Sequence, residues 1–288
     1  MQQVVAKLGP HVEPSELMKG LSLKKIILYL LSAILIFILV CVFFLGGRFG
    51  AYAWNISVFI LAPLAVVLLF VQIVILIIHF YKRRKCHFWN IAFIAITVIY
   101  ALPITILLGI SPITYPTNVN SEKSVTVKMP VENAVLFGGK EYKTHAMWPS
   151  ECYAFDILKE PFEVGSDNLD DYGIFGEDIY SPVSGTIIGM ENNEIDIEPN
   201  TEEFTSSLGN YLYIKLDSTD TYLILAHLKQ HSITVSVGDE ISVGENIGKV
   251  GNSGTTSEPH LHIQHQLDNP LELKFPSCAV GLPISFEE

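Results

Sequence analysis

Acidic side chains are nearly missing from the first 111 residues of this chain, and basic ones are scarce in the rest. Residues 1–111 hold nine Lys or Arg against Glu13 and Glu16, whereas residues 112–288 hold the other nine against twenty-eight acids, a net charge of −19. So acidic a second half repels nucleic acid and anionic headgroups, which excludes polyanion binding and leaves a soluble body held near a membrane. No low-complexity tract, long internal repeat or convincing helical period occurs in that half, so repeat architectures and helical bundles are excluded there. Of the four cysteines, Cys41 lies in an apolar run and Cys86 beside a basic cluster. Cys152 and Cys278 remain for the second half, either as a disulfide or, more plainly, as two free and partly buried thiols.

What the first half has instead is three uncharged, apolar runs, each long enough to cross a bilayer. They predict transmembrane helices over about 26–46, 54–81 and 88–110, after a cytoplasmic amino terminus of residues 1–25. The first run exceeds the apolar core of a signal peptide and two more follow directly, so it is read as an anchor. Lys7, Lys19, Lys24 and Lys25 precede the first run, and Lys82, Arg83, Arg84 and Lys85 join the second to the third. The intervening loop offers Arg48 alone. This asymmetry places both basic segments in the cytoplasm and everything after about Pro112 outside the cell. The spans contain no Asp, Glu or Lys, which argues against a transport or proton path; Pro103 is expected to kink the third, and His79 to lie at an interface.

Residues 112–126 read as a proline-containing tether, and 127–288 as a folded domain. Short alternating or β-branched runs predict strands at Val127 to Leu136, Tyr153 to Leu158, Gly185 to Met190, Glu194 to Ile197, Tyr211 to Leu216, Tyr222 to His227 and His260 to Gln266. Between Ile233 and Gly251, Gly-Asp and Gly-Glu turns separate further short strands. The expectation is an all-α membrane region followed by an all-β barrel or sandwich. Residues 160–178 form an acidic loop; Asp167, Asn168, Asp170 and Asp171 are hard oxygen donors, but their spacing fits no familiar calcium loop.

The chemistry concentrates in histidine. His260 and His262 are two apart on a predicted strand and share a face. His227 ends an apolar strand, and Asp156 sits in Tyr-Ala-Phe-Asp-Ile, where a charge needs a buried partner. Two imidazoles and a carboxylate suit zinc, which takes N and O donors in a tetrahedron and keeps one vertex for water in catalytic sites. His231, in a polar turn, and His265, on the strand face opposite His262, read as solvated, and Tyr153 as a core residue or a donor near the site.

The second half resembles the lysostaphin-like, or LytM-type, zinc endopeptidases of peptidase family M23. The resemblance runs from about Phe137 to Gln266 and rests on several motifs together. They are Phe-Gly-Gly at 137–139, Tyr-Ala-Phe-Asp at 153–156, Ser-Pro-Val-Ser-Gly-Thr-Ile at 181–187, Ala-His-Leu at 226–228, Val-Gly-Asn-Ser-Gly at 250–254 and Pro-His-Leu-His at 259–262. It implies a lysostaphin-like antiparallel β-sheet, Zn2+ as cofactor, and hydrolysis of peptide bonds in the stems or bridges of peptidoglycan at the outer face of a bacterial membrane. It further implies His262 and Asp156 as zinc ligands and His227 with His260 as the catalytic pair. The common His-x-x-x-Asp spacing fails, because the residue four before Asp156 is Cys152; the third ligand is then His145 or, as competitor, Cys152. The acidic loop 160–178 is a candidate inhibitory segment. A non-catalytic domain of the same fold that binds wall fragments or a partner is the alternative. The glycine hairpins also look like glucose-type phosphotransferase carrier domains, which the charge topology opposes.

Overall fold

The computed structural model describes residues 22–84, 87–117, 124–138, 142–201 and 203–287. Lys7, Glu13, Glu16, Lys19, Lys85, Cys86 and Gly139, used above, lie outside them, as do residues 1–21 of the expected amino terminus and 118–123 of the expected tether. Among the described residues, three helices long and apolar enough to cross a membrane come first: α1 (Leu23–Leu45), α2 (Gly47–Tyr81) and α3 (Phe88–Leu107). Large apolar side chains such as Leu64, Val67 and Phe70 are exposed on α2, as expected where lipid is the solvent. The regular helix of α3 stops at Ala101 and resumes at Ile104, so Pro103 interrupts it as expected.

The second helix starts earlier than expected. Gly47, Arg48 and Gly50 read as a loop, yet Gly46 alone, at φ 58° and ψ −151°, separates α1 from α2. At ~1.5 Å per residue, the 35 residues of α2 extend well beyond the roughly 30 Å of a bilayer's hydrocarbon. Its first turns therefore project and pack on the following domain. Cys41 and Val42 of α1, Trp54 and Val58 of α2 and Ile106 of α3 form one buried cluster with Tyr115, Met147 and Cys152.

Among the described residues, the β-domain has twelve strands. They are β1 (Val125–Val127), β2 (Val135–Gly138), β3 (Phe155–Leu158), β4 (Asp178–Tyr180), β5 (Gly185–Glu191), β6 (Asn210–Leu216), β7 (Tyr222–Leu228), β8 (Glu240–Ile241), β9 (Asn246–Lys249), β10 (Leu261–Gln266), β11 (Gly281–Leu282) and β12 (Ile284–Phe286). Seven run in the order β2-β3-β10-β7-β6-β5-β8, with β11 pairing beside β10. This sheet is antiparallel and open, not closed into a barrel. β4 pairs β9, and β1 pairs β12 in parallel, so the carboxyl terminus returns to the domain's start. Ile157, Ile187, Leu212, Ile214, Leu223, Leu225, Leu261 and Ile263 fill the core.

Two expected strands differ. The run from Val127 to Leu136 divides into β1 and β2, because Pro130 lacks a donor and Asn133 takes a φ of 55°. Glu194 to Ile197 forms no strand: Asn210 Nδ2 donates to the Glu194 carbonyl at 2.8 Å and Asn252 Nδ2 to that of Ile197 at 2.7 Å, so side chains supply partners a ladder would have given. One helical turn, α4 (Lys143–Ala146), appears where no helix was expected, and it carries His145.

Candidate metal centre

β10 lies between β3 and β7, and its register sets the centre. His262 stands directly opposite Asp156 on β3 and Ala226 on β7, so the carboxylate and imidazole are cross-strand neighbours while Ala226 leaves room beside them. His262 Nδ1 is 3.1 Å from Asp156 Oδ1, and His145 Nε2, brought in by α4, is 3.4 Å from the same oxygen. The ligand atoms of His145, Asp156 and His262 all lie within 4.8 Å of one another. Zinc bonds of about 2.1 Å at a tetrahedral angle would space neighbouring donors about 3.4 Å apart, so this donor set fits the ion. Among the described residues no other group of three such donors forms.

Hydrogen bonds orient the rings. His262 Nε2 faces Gln264 Oε1 at 3.0 Å; since that oxygen can only accept, the ring carries a proton there, and Nδ1, which donates to the Asp156 carboxylate in the metal-free protein, is the nitrogen that would turn to an ion. His260 Nδ1 donates to the Glu258 carbonyl at 2.8 Å and His227 Nδ1 to that of Ser253 at 2.8 Å. Both therefore leave Nε2 free as an acceptor, with His260 Nε2 3.6 Å from Asp156 Oδ1. The His227 and His260 rings lie 4.6 Å apart.

Strand parity alone does not bring His227 here. Along β6 and β7, Asn210 pairs with Leu228 and Tyr211 with Ala226, so His227 is the extra residue of a β-bulge. Its φ is 65°, a left-handed conformation uncommon for residues other than glycine. The bulge breaks the alternation and turns the imidazole to the same side as His262.

Electrostatics follow from burial around one carboxylate. Burial opposes ionisation of Asp156, but His260, His262 and His145 together outweigh it and hold its pKa well below the usual range. Burial likewise works against the His262 cation, yet Asp156, Glu151 and Gln264 prevail and raise its pKa. His145, with burial and the neighbouring His262 both against charge, falls to about 4. Burial and the adjacent His260 lower His227 strongly.

Several sequence expectations change. Cys152 does not approach the centre: its thiol donates to the Pro149 carbonyl at 3.4 Å, sits in the cluster shared with the three apolar helices, and is pushed up to about 12 by burial. Cys152, Cys278 and Cys41 are free and buried, so no disulfide links the first two. His265 is fully buried rather than solvated, because its strand face is the core face; Nε2 meets Thr221 Oγ1 at 2.7 Å. His231 is exposed. Tyr153 donates to the Thr117 carbonyl, away from the donors. In the acidic loop Asn168 accepts from the Asp170 amide and Asp171 from Ser166 and Asn168, so these oxygens serve the turn itself.

The centre opens into a cleft of ≈ 380 Å³ lined by His145, Asp156, His227, His260 and His262 together with Tyr142, Trp148, Glu151, Glu258 and the 255–257 loop. No residue of 160–178 lines it; that loop lies alongside, with the Glu163 amide donating to Glu258 Oε2 at 2.7 Å. Tyr142 and Glu151 escaped the sequence reading because neither belongs to a spaced pattern. Burial and then Asp156 keep the Tyr142 phenol protonated, and burial raises the Glu151 carboxyl.

Residues 171–271 match the model of peptidase family M23. The chain thus contains a region that matches peptidase family M23. The matched residues include His227, His260 and His262, whereas His145 and Asp156 precede them. The chain is also similar to an uncharacterized metalloprotease of Buchnera aphidicola subsp. Baizongia pistaciae (strain Bp), 27% identical over 109 residues that cover 36% of this chain and 27% of that protein. The chain thus spans well under half the length of this curated relative. Among solved structures, a zinc containing peptidase from Vibrio cholerae is 17% identical, covering 54% of this chain and 36% of that chain at a TM-score of 0.30. Lysostaphin from Staphylococcus simulans is 21% identical, covering 38% and 41% at a TM-score of 0.25. These two likenesses concern the fold alone.

Proposed function

We propose that the M23 domain is a zinc-dependent endopeptidase, held by three transmembrane helices at the outer face of a bacterial membrane, that hydrolyses peptide bonds in peptidoglycan stems or cross-bridges. The observation that carries this reading is the convergence of His145, Asp156 and His262 beside two further histidines whose free Nε2 atoms face the same cleft. His145 and His262 would hold the ion through nitrogen and Asp156 through oxygen. Zinc, when bound, activates water and polarises the scissile carbonyl.

The chain's own residues supply the rest. His260 and His227 are fixed with the proton on Nδ1, so either Nε2 can take a proton from the attacking water and return it to the leaving amine. His227, once protonated, can donate from Nε2 to the oxygen that gains charge. The basic residues around α1 and between α2 and α3 support a cytoplasmic amino terminus and an outer M23 domain. The family resemblance supports the wall substrate.

The test uses the full chain in detergent, metal-loaded, as parent and as His145→Ala, His262→Ala, Cys152→Ala and His227→Ala. About one zinc per chain is expected in the parent, lost with His145 or His262 and retained without Cys152, with metal-dependent release of peptides from purified bacterial walls. His227→Ala should keep its zinc and lose about 10²–10⁴-fold in turnover. A folded parent that takes up no zinc and releases nothing would assign the domain to binding instead.

A further inference from the structure

We infer that the projecting foot of α2 is part of the metal centre's positioning apparatus, with Trp54 seating the turn that carries His145 and Arg48 anchoring the chain of amides that orients His262. The inference rests on the reading that these histidines bind metal.

The first route runs through α4. A four-residue helix has too few hydrogen bonds to stand alone, so the position of His145 depends on what the turn packs against. Trp54 Nε1 donates to the Met147 carbonyl at 2.9 Å, two residues past His145. Phe59, a further turn along α2, stacks on Trp148 with ring centroids 5.7 Å apart. Tyr115 sets its ring edge against Trp54 and donates its amide to the Ala146 carbonyl at 2.8 Å. The segment 146–148 is therefore fixed against α2 immediately after the ligand.

The second route runs along β10. Residues 262, 264 and 266 share one strand face, and that face is a directed hydrogen-bond chain. His262 Nε2 donates to Gln264 Oε1 at 3.0 Å, Gln264 Nε2 to Gln266 Oε1 at 3.1 Å, and Gln266 Nε2 to the Asp268 carbonyl at 2.6 Å. Every amide donates onward and accepts from behind, so reversing one would leave two oxygens, or two NH2 groups, in contact. Asp268 fixes the far end. Its buried carboxylate accepts from the Val280 amide at 2.9 Å and from Arg48 Nε at 2.6 Å. Asn55 adds a tie nearby by donating to the Ser277 carbonyl at 2.9 Å.

Two of the three proposed ligands are thus tied, independently, to points six residues apart on one helix. That helix continues through the apolar region, so a shift or rotation of α2 would move the seat of His145 and the end of the amide chain together. An anchor needs none of these contacts. The expected consequence is a metal affinity that depends on how α2 is seated, and hence a centre that events within the membrane can tighten or loosen.

The test is zinc affinity by chelator competition, with the visible spectrum of the Co2+-loaded protein and the melting temperature, on the full chain in detergent. Trp54→Phe keeps an aromatic ring but loses the indole donor; Arg48→Gln loses the charge, and Arg48→Lys restores it. Gln266→Met breaks the amide chain away from the helix contact, keeping the question open should a helix variant fail to fold. Each loss variant is expected to weaken zinc binding about 10-fold, within the range typical of groups that orient ligands, and to alter the Co2+ spectrum, with Arg48→Lys recovering most of the affinity. Unchanged affinity and spectrum in folded variants would reduce α2 to an anchor. A parent that binds no zinc would instead remove the reading beneath the inference.

Discussion

His265 illustrates how a single side chain can be legible in type and wrong in setting. It lies on the odd-numbered face of β10 with Leu261 and Ile263, which is the core face, so burial pushes its pKa to about 4 from the ordinary 6.5. The unfolded chain then binds the extra proton between those values. Stability is full above about pH 6.5 and falls as pH drops toward 4, beyond which this residue contributes no further loss. In the metal-free protein, His265→Gln should flatten the dependence of unfolding free energy on pH between 6 and 4.5 by up to about 1.4 kcal/mol per pH unit. Urea unfolding of the β-domain at several pH values, followed by tryptophan fluorescence, checks this; an unaltered slope would mean another group carries the linkage.

At the scale of elements, a loop aims a catalytic candidate. Ser253 accepts from His227 Nδ1 through its carbonyl, while its hydroxyl accepts from the Asn210 amide and donates to the Leu228 carbonyl. It occupies this position because Gly209, at φ 61°, lets the 251–254 loop approach the start of β6; a Cβ there would overlap the Ser253 carbonyl. Gly209→Ala is expected to cost about 2–4 kcal/mol through overlap and left-handed strain together. Turnover should fall further than zinc content, since the loop orients His227 and none of the proposed ligands. Thermal unfolding and metal content of the same preparation decide it, and a variant as stable and active as the parent would refute the account. The bulge at His227 is the companion device, invisible in Leu-Ala-His-Leu because the pattern 222–228 is apolar on both faces.

For the whole molecule, the boundary between the apolar helices and the β-domain is a shared core, not a tether alone. Met147, Cys152 and Tyr115 are buried by Cys41, Val42, Trp54, Val58 and Ile106. Expressed without its helices, the segment from residue 124 onward would expose much of that surface. It should melt at least ~5 °C below the same domain in the full chain and self-associate more readily. Calorimetry of both forms, with sedimentation of the shorter one, would show this; equal melting temperatures would mean the shared cluster contributes nothing to the domain.

Local composition determined much of this protein. Apolar length specifies three helices, a period of two specifies most strands, and parity puts His260 and His262 on one face, because each depends on neighbours a few residues away. The charge in Tyr-Ala-Phe-Asp flags Asp156 for the same reason. The tertiary structure decided what depends on residues far apart in the chain. Cross-strand register set Asp156 against His262, and packing on α2 delivered His145 rather than Cys152. A bulge turned His227, and the core claimed His265. None of these has a local period, since each arises only when separate elements close on one another and buried polar groups must find partners.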